Sequence, residues 1–454
     1  MVRRFCVTFL HGSPLHPLVL TLRSVHAGCI SRLLVVSVLV MPVGDLAAQV
    51  VLQPRTLGAV ERRADSLLAS VSVVQEFAGG RVLVHDVRGR RVVLLDSSLK
   101  SVHVAADNTT LTGRAYANVT GGIIPTEGDS SLFVDPASLS MFVIRADGVV
   151  GRVIAMPPNA RACFLGGTSG RPMLDRSTHV VCRMPPTSRP GTVVDPVLHL
   201  SVPDIADSSA LVRFDLASRR ADTLTFLHTG KRPLRYVPDR ECDWYLAPVI
   251  NPLPLVDDWA AMHDGTIAVI RGSDYHIDWI SAAGDRRQSP RIQFPSARLS
   301  DSAKSAYVDS TKVVLARLRS RGQRADTANA PAPVCDPAAM RSLSMSTKTD
   351  VGDDPSGLGR GIPLLFVSAE ELPDYVPPFA PGSALADLNG RLWIRRLETV
   401  NGGSVYDVVG RDGNTAIRTV VPKGRVIAGF GQDGRVYTGV VENDGVRLER
   451  YRLP

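Results

Sequence analysis

Several acidic, basic and histidine residues follow short apolar segments, where folding could bring them to one surface. Carboxylate and imidazole groups can bind a divalent cation or move a proton, and a guanidinium can bind an oxyanion. The candidate ligand-binding residues are His85, Asp86, Asp135, Arg271, Asp274, His276, Arg395, Arg396 and Glu398. Asp beside Pro or Gly is also typical of turns, where its side chain accepts local backbone hydrogen bonds. The residue types therefore predict a polar ligand or a cation and leave a structural role open.

Signatures of familiar chemistries are absent from the sequence. There is no HExxH, GxSxG, P-loop or EF-hand pattern, and no CxxC spacing. We therefore expect no cofactor, and the sequence leaves open whether the protein is an enzyme. The formal net charge is +8, but the arginines are spread along the chain without a basic run. We therefore expect no nucleic-acid binding.

The N-terminal region has the pattern of a signal peptide. Arg32 precedes the apolar run Leu33–Met41, and Ala47 and Ala48 provide small residues before a cleavage point. The run is shorter than the roughly 20 residues that a membrane span needs. We therefore expect residues 1–48 to be removed and the mature chain to be periplasmic or extracellular, without a membrane span. The alternative is an ordinary buried apolar segment.

The cysteines suit an exported chain. Two of the six belong to the leader, and the others are Cys163, Cys182, Cys242 and Cys335. Four cysteines permit three pairings. The most local choice joins Cys163 to Cys182 and leaves Cys242 with Cys335, and four buried free thiols are the alternative.

A strand–turn–strand unit recurs along the chain and is clearest between residues 259 and 294. Its predicted strands are Trp259–His263, Thr266–Arg271, Tyr275–Ile280 and Arg291–Phe294. Asp264-Gly265 marks the first turn, because glycine tolerates the positive φ of tight hairpins. These features predict one four-stranded antiparallel sheet.

Five further units are predicted, which makes six, and the irregular third unit leaves a total of five or seven open. They span Val71–Ala105, Gly122–Met156, Pro172–Leu227, Ala384–Val421 and Arg425–Arg452. The last unit is one strand short, and Val50–Leu52 is predicted to supply the missing strand, since an open edge would promote aggregation. The tryptophans are expected to pack between units, and they are Trp244, Trp259, Trp279 and Trp393.

Four stretches carry a resemblance to a known family. They are Arg81–Asp86, Asp135–Met141, Gly272–Ile280 and Leu388–Ile394. With the repeated Asp-Gly and Asn-Gly turns, they resemble six-bladed β-propellers of the TolB-like and NHL-like superfamily, among them uncharacterised exported bacterial proteins. The resemblance implies an all-β, six-bladed β-propeller in a single domain over residues 49–454. It implies no function, because propellers host many activities.

Two insertions interrupt the units. Residues 184–208 are rich in proline and are predicted to form a long loop. Residues 295–380 are predicted to form a partly helical insertion between the fourth and fifth units, with Ser300-Asp301 as a helix cap. The partial apolar stripe of this helix consists of Tyr307, Val308, Val313, Val314, Leu315 and Leu318.

Together these features favour a non-catalytic exported protein. We expect a monomer that binds a protein partner or a small polar ligand at the channel mouth, where loops gather on a rigid scaffold. The alternative is a metal-assisted hydrolase or lyase, which needs histidine and carboxylate groups converging on one ion. A purely structural interaction protein, lacking a concave polar mouth, is a third possibility.

Overall fold

The computed structural model describes most of the chain from residue 53 onward. The described residues are 53–109, 122–126, 128–135, 138–157, 160, 163, 173–175, 179–239, 242–320, 335–336, 343–344 and 363–453. The predicted leader and the predicted closing strand Val50–Leu52 lie outside them. No helix among the described residues is both long enough and apolar enough to cross a membrane.

The described chain is mostly β-strand, arranged in many small sheets. Sheet I consists of Val73–Glu76, Val82–Asp86, Arg91–Leu95 and Ser101–Asp107. Sheet II consists of Gly122–Pro125, Ser130–Asp135, Ser140–Arg145 and Val150–Ala155. Sheet III consists of Met173–Asp175, His179–Arg183, Ser208–Asp215 and Ala221–His228. In each sheet, strands that are consecutive in this order pair antiparallel.

Three further sheets follow along the chain. Sheet IV consists of Asp258–Ala261, Ile267–Arg271, His276–Ile280 and Arg286–Gln288. Sheet V consists of Phe379–Ala386, Leu392–Val400, Gly403–Val409 and Thr415–Val421, with Arg55–Thr56 added in parallel. Sheet VI consists of Arg425–Phe430, Arg435–Glu442, Gly445–Arg452 and Val60–Arg63. The turn at Asp264-Gly265 forms as expected, with Gly265 at a φ of 83°.

The last strand of sheet IV differs from the prediction. It is Arg286–Gln288, directly after the turn in which the Gly284 amide donates to the Ser281 carbonyl, and not Arg291–Phe294. The tight turn sets the register, so pairing begins at once. Pro290 has no N–H group to continue the ladder.

The two ends of the described chain meet in sheet VI. Val60–Arg63 pairs antiparallel with Gly445–Arg452, and Arg63 lies opposite Glu449. The strand predicted for this position, Val50–Leu52, lies outside the described residues, and the segment that pairs with the last strand is Val60–Arg63. An outermost strand faces solvent, so charged residues suit it better than an apolar triplet.

Apolar clusters link the sheets in cyclic order. Each cluster contains residues of two neighbouring sheets, and one of them joins sheet VI to sheet I. One residue pair represents each cluster: Leu94 and Phe133 (sheets I and II), Val134 and Phe214 (II and III), Leu211 and Trp259 (III and IV), Ile277 and Leu392 (IV and V), Tyr406 and Tyr451 (V and VI), and Val84 and Tyr437 (VI and I). Burial of this apolar surface is the main force that holds the sheets together.

Other elements lie between the sheets. Leu234–Pro238 and Trp244–Ile250 form a hairpin that the sequence did not reveal, extended in parallel by Leu343–Ser344 and Leu365–Phe366. Trp244 packs in this hairpin and not between sheets, whereas the other tryptophans lie in the inter-sheet clusters. The remaining short elements are the strand pair Ser188–Arg189 and Asp204–Ile205 and the 3₁₀ turns Ala78–Gly80, Ala369–Glu371 and Gln432–Gly434.

One α-helix, Asp301–Ser320, is described between sheets IV and V. It begins at the predicted cap, where the Ser300 hydroxyl accepts a hydrogen bond from the Ala303 amide at 3.2 Å. Val308 is buried, but Val313 and Val314 are 48% and 53% exposed. The predicted apolar stripe is therefore wrong at these two positions, because the apolar cluster beside the helix includes residues only from the first half of the helix.

The structure joins the four described cysteines in two disulfides. Cys163 bonds to Cys182 and Cys242 bonds to Cys335, with Cα atoms 5.7 and 5.5 Å apart. The second bond connects the hairpin strand region to the segment that follows the helix.

Candidate functional site

The long connections of this fold leave from one end of the sheets. Successive connections in an antiparallel sheet alternate between its two ends. The loops from second to third strands, and those leading to the next sheet, therefore share one end, here called the loop-rich end. Residues 184–207, 229–257 and 289–378 all emerge there. The second strands of sheets I to IV end at Asp86, Asp135, Arg183 and Arg271.

Asp86 and His85 hold the start of the described chain against sheet I. Asp86 is fully buried and accepts hydrogen bonds from the Ala69, Ser70 and Gly89 amides, the Ser70 hydroxyl and Arg91 Nε. His85 is also buried, and its Nδ1 lies 3.2 Å from the Ser72 hydroxyl. The carboxylate of Asp86 is therefore occupied by structural donors.

Asp135 has a similar local role in sheet II. It is 1% exposed, and it accepts hydrogen bonds from the amide and hydroxyl of Ser138. This is the turn chemistry that an Asp–Pro sequence predicts.

Three candidates meet in sheet IV. Arg271 Nε lies 2.7 Å from Asp278, and its Nη1 lies 2.7 Å from Asp257. His276 lies between two carboxylates, with Nδ1 2.5 Å from Asp274 and Nε2 3.2 Å from Asp278. Both charge types are therefore already paired within this network.

The candidates of sheet V belong to a buried network between sheets IV and V. Asp407 accepts hydrogen bonds from Tyr275 Oη, Arg396 Nη1 and Arg418 Nε, each at 2.9 Å. Glu398 lies at its edge, 3.6 Å from Arg396. Burial, followed by the Asp407 charge, raises the pKa of Tyr275 well above its ordinary value, so this hydroxyl stays a donor.

Arg395 occupies the strand position beside Arg396, opposite Tyr406, and is partly exposed. Successive residues of a strand point to opposite faces, so Arg395 lies outside the buried network. The predicted candidates are thus divided among sheets I, II, IV and V, with one shared network in sheet IV and a separate one between sheets IV and V. Within the described part of the chain, no group of three or more His, Cys, Asp or Glu is placed to hold a metal ion.

A different cluster of charged residues at the loop-rich end was not predicted from the sequence. Asp258 opens the first strand of sheet IV and is buried. It accepts hydrogen bonds from the Trp259 amide at 2.9 Å, the Ser383 amide at 2.6 Å and the Ala384 amide at 2.9 Å. Burial still raises its pKa to about 6. Asp258 therefore fixes the first strands of sheets IV and V to each other at this end.

One arginine, Arg183, interacts electrostatically with this carboxylate, and a second, Arg232, interacts with Arg183. Arg183 ends the second strand of sheet III, and Arg232 lies in the loop after that sheet. Burial and the Arg232 charge lower the pKa of Arg183 to about 10, while the Asp258 charge acts in the opposite direction. Burial also lowers the pKa of Arg232. We call Arg183, Arg232 and Asp258 the mouth site.

Within the part of the chain that the structure describes, the two guanidinium groups of the mouth site lack protein acceptors, and both side chains are partly exposed. Among the described residues, neither makes a hydrogen bond to another side chain or backbone group, and neither forms an ion pair within 4.0 Å. Two like charges that are close together and partly buried cost free energy unless an anion joins them. A planar guanidinium matches a carboxylate, phosphate or sulfate group in geometry. No sequence motif indicates this site, because its residues are far apart in the sequence.

Comparisons with known proteins add little to this geometry. No protein-family model matches the sequence, and no curated protein matches it. Among solved structures, the chain is similar to a gluconolactonase from Xanthomonas campestris, with 11% identity over 89% of this chain and 98% of that one and a TM-score of 0.35.

Two other structures show a comparable likeness. A member of the DUF4221 family from Bacteroides vulgatus has 9% identity over 88% of this chain and 99% of that one, with a TM-score of 0.41. A virginiamycin B lyase from Staphylococcus aureus has 7% identity over 85% of this chain and 96% of that one, with a TM-score of 0.32. Similarity at this level supports no inference about the activity of the chain.

Proposed function

We propose that this chain is an exported six-bladed β-propeller that binds a small anionic ligand at the mouth site without transforming it. The propeller is supported by sheets I to VI, by the cyclic order of the apolar clusters and by the pairing of Val60–Arg63 with Gly445–Arg452. In this arrangement residues 49–454 form one domain, and the loops of the loop-rich end surround the opening of the channel.

The observation that carries the proposed function is the pair of guanidinium groups of Arg183 and Arg232, which have no acceptor among the described residues and whose charges act on each other. Their partial burial means that part of the desolvation cost of binding is already met in the free protein. An oxyanion between them gains charge-assisted hydrogen bonds in a region of low dielectric constant. The ligand class is therefore a small carboxylate, phosphate or sulfate compound.

Binding without catalysis agrees with how the nearby acids are used. Asp258 accepts three backbone amides, and Asp257 accepts the His228 and Gly272 amides as well as Arg271. The alternative of a metal-assisted hydrolase or lyase requires His85, Asp135, Asp274 and His276 to converge. Asp274 and His276 contact each other in sheet IV, but His85 and Asp135 lie in sheets I and II with other partners, so no specific observation favours that alternative.

Substitution of either mouth arginine tests the proposal. We expect Arg183→Gln and Arg232→Gln each to weaken the binding of citrate or sulfate by at least about tenfold, because each removes one charge-assisted contact of about 1.5–3 kcal/mol. Isothermal titration calorimetry measures this change. Arg152→Gln is the matched control, since Arg152 is exposed on the outer strand of sheet II. Unchanged affinity in both mouth variants would refute an anion site here.

The pH dependence of sulfate binding gives a second prediction. Sulfate keeps its charge between pH 5 and 8, whereas Asp258 loses its proton as the pH rises through about 6. Because the Asp258 charge opposes an anion beside Arg183, affinity should fall roughly threefold to tenfold across this range. Titrations at pH 5 and pH 7.5 measure the change. In Asp258→Asn this pH dependence should disappear, and an unchanged slope in that variant would exclude Asp258 as its source.

A further inference from the structure

An open cleft of about 440 Å³ lies between sheets VI and I. Its walls include the turn after the first strand of each of these sheets and the turn after the third strand of sheet I. By the alternation of connections, these turns lie at the end opposite the loop-rich end. We call this cleft, where the N-terminal strand closes sheet VI, the seam cleft.

Small residues leave the seam cleft open on one side. Gly79 and Gly80 form the turn of sheet I at φ values of 81° and 79°, which residues with side chains rarely adopt. A Cβ atom at Gly80 would approach Ser97 to 3.1 Å, whereas Gly79 has open space beside it. Ser97 and Ser98 continue this wall and are exposed, and the Ser98 hydroxyl donates a hydrogen bond to Asp96 at 2.7 Å.

Three arginines form the other wall. Arg62, Arg435 and Arg450 come from three strands of sheet VI. Arg62 and Arg450 are directly opposite each other on paired strands, an arrangement in which like charges destabilise a sheet. Their convergence on one open cleft therefore needs compensating negative charge.

The nearby carboxylates compensate only part of this charge. Arg435 Nη1 donates to Glu76, and Arg450 Nε lies 3.3 Å from Glu61. Glu61 is shared, because Arg452 Nε lies 3.0 Å from its other oxygen. Arg62 has a hydrogen bond only to the Glu61 carbonyl oxygen among its described contacts, at 3.0 Å. Asp433 lines the cleft as well but lies 3.8 Å from Arg435.

We propose that the seam cleft is a second binding site, for a small compound with two or more negative charges on phosphate, sulfate or carboxylate groups. Arg62, Arg435 and Arg450 supply guanidinium donors, and Ser98 and Gln432 supply neutral polar groups at the rim. The volume is within the range of small-molecule sites. Because the ligand contacts the closing strand, the rest of sheet VI and sheet I together, it stabilises the closure of the ring.

The test uses the full chain with the mouth site disabled. In Arg183→Gln/Arg232→Gln, titrations with citrate and with inorganic phosphate are expected to show one remaining site. The anion that binds more tightly identifies whether the site takes a carboxylate or a phosphate compound. Adding Arg62→Gln should weaken binding about tenfold. Adding Gln432→Glu, an isosteric change that places a carboxylate among the arginines, should abolish binding and raise the thermal midpoint of the ligand-free protein.

The controls separate the two sites. Arg152→Gln in the same background should leave the remaining affinity unchanged, and Gln432→Glu alone should leave the mouth site intact. The proposal is overturned if the mouth-disabled protein shows no saturable binding of either anion. The proposal is also overturned if neither Arg62→Gln nor Gln432→Glu changes the affinity of the mouth-disabled protein for these anions.

Discussion

Replacing Asp407 with alanine is expected to lower the free energy of unfolding by about 3–5 kcal/mol, the usual effect of leaving a buried ion pair half complete. Asp407 is fully buried and accepts hydrogen bonds from Tyr275, Arg396 and Arg418. Arg396 is 6% exposed, so without this carboxylate its charge stays in the interior, and Glu398 at 3.6 Å is the remaining carboxylate paired with it among the described residues. The contacts that are lost in this variant are those that join sheets IV and V.

Urea unfolding at neutral pH measures this change. Tyr275→Phe is the control, because it removes one hydrogen bond to the same carboxylate and keeps the ring that packs against Phe294 and Phe379. We expect that variant to lose about 1 kcal/mol. Equal losses in the two variants would mean that Asp407 is not the centre of the network.

Removing the closing strand should have the second large effect. A chain that begins at Ala64 lacks Val60–Arg63, so the last strand, Gly445–Arg452, becomes an open edge. Each lost backbone hydrogen bond contributes roughly 1 kcal/mol, and buried Glu449 also loses its contact with Arg63. An unpaired edge strand then promotes association between copies of the chain.

A chain that begins at Gln53 provides the comparison, because it retains every described residue. Size-exclusion chromatography and thermal unfolding should show a cooperative monomer for that chain and aggregates with a lowered midpoint for the Ala64 chain. Equal elution and equal midpoints would show that Val60–Arg63 contributes nothing to closure.

The hairpins were predictable from the sequence because they depend on neighbouring residues. The turn at Gly265 and the strands Ile267–Arg271 and His276–Ile280 follow from a positive φ and alternating apolar residues. The closing strand depends on a partner almost the whole chain away, and strand propensity favours the more apolar Val50–Leu52. Tertiary pairing, which propensity does not describe, selected the charged segment Val60–Arg63.

The roles of the polar residues were less predictable for the same reason. Asp86 was correctly placed at a strand end, but its donors at residues 69 and 70 come from a separate part of the chain. Asp258 accepts a hydrogen bond from the amide of Ser383, which lies 125 residues later in the sequence. Arg183 and Arg232 belong to no sequence motif, and only the fold shows that the charges of Arg232 and Asp258 both act on Arg183.

Hydrogen exchange at Val60–Arg63 tests most directly whether this strand and Gly445–Arg452 complete a ring, on which both proposed binding sites depend. In a closed ring, the amides of Val60–Arg63 that bond to Gly445–Arg452 are released only when that pairing opens. Mass spectrometry should therefore show slow deuterium uptake in both peptides, with the same dependence on denaturant. Uptake in Val60–Arg63 as fast as in an unstructured peptide, while Gly445–Arg452 stays protected, would contradict closure.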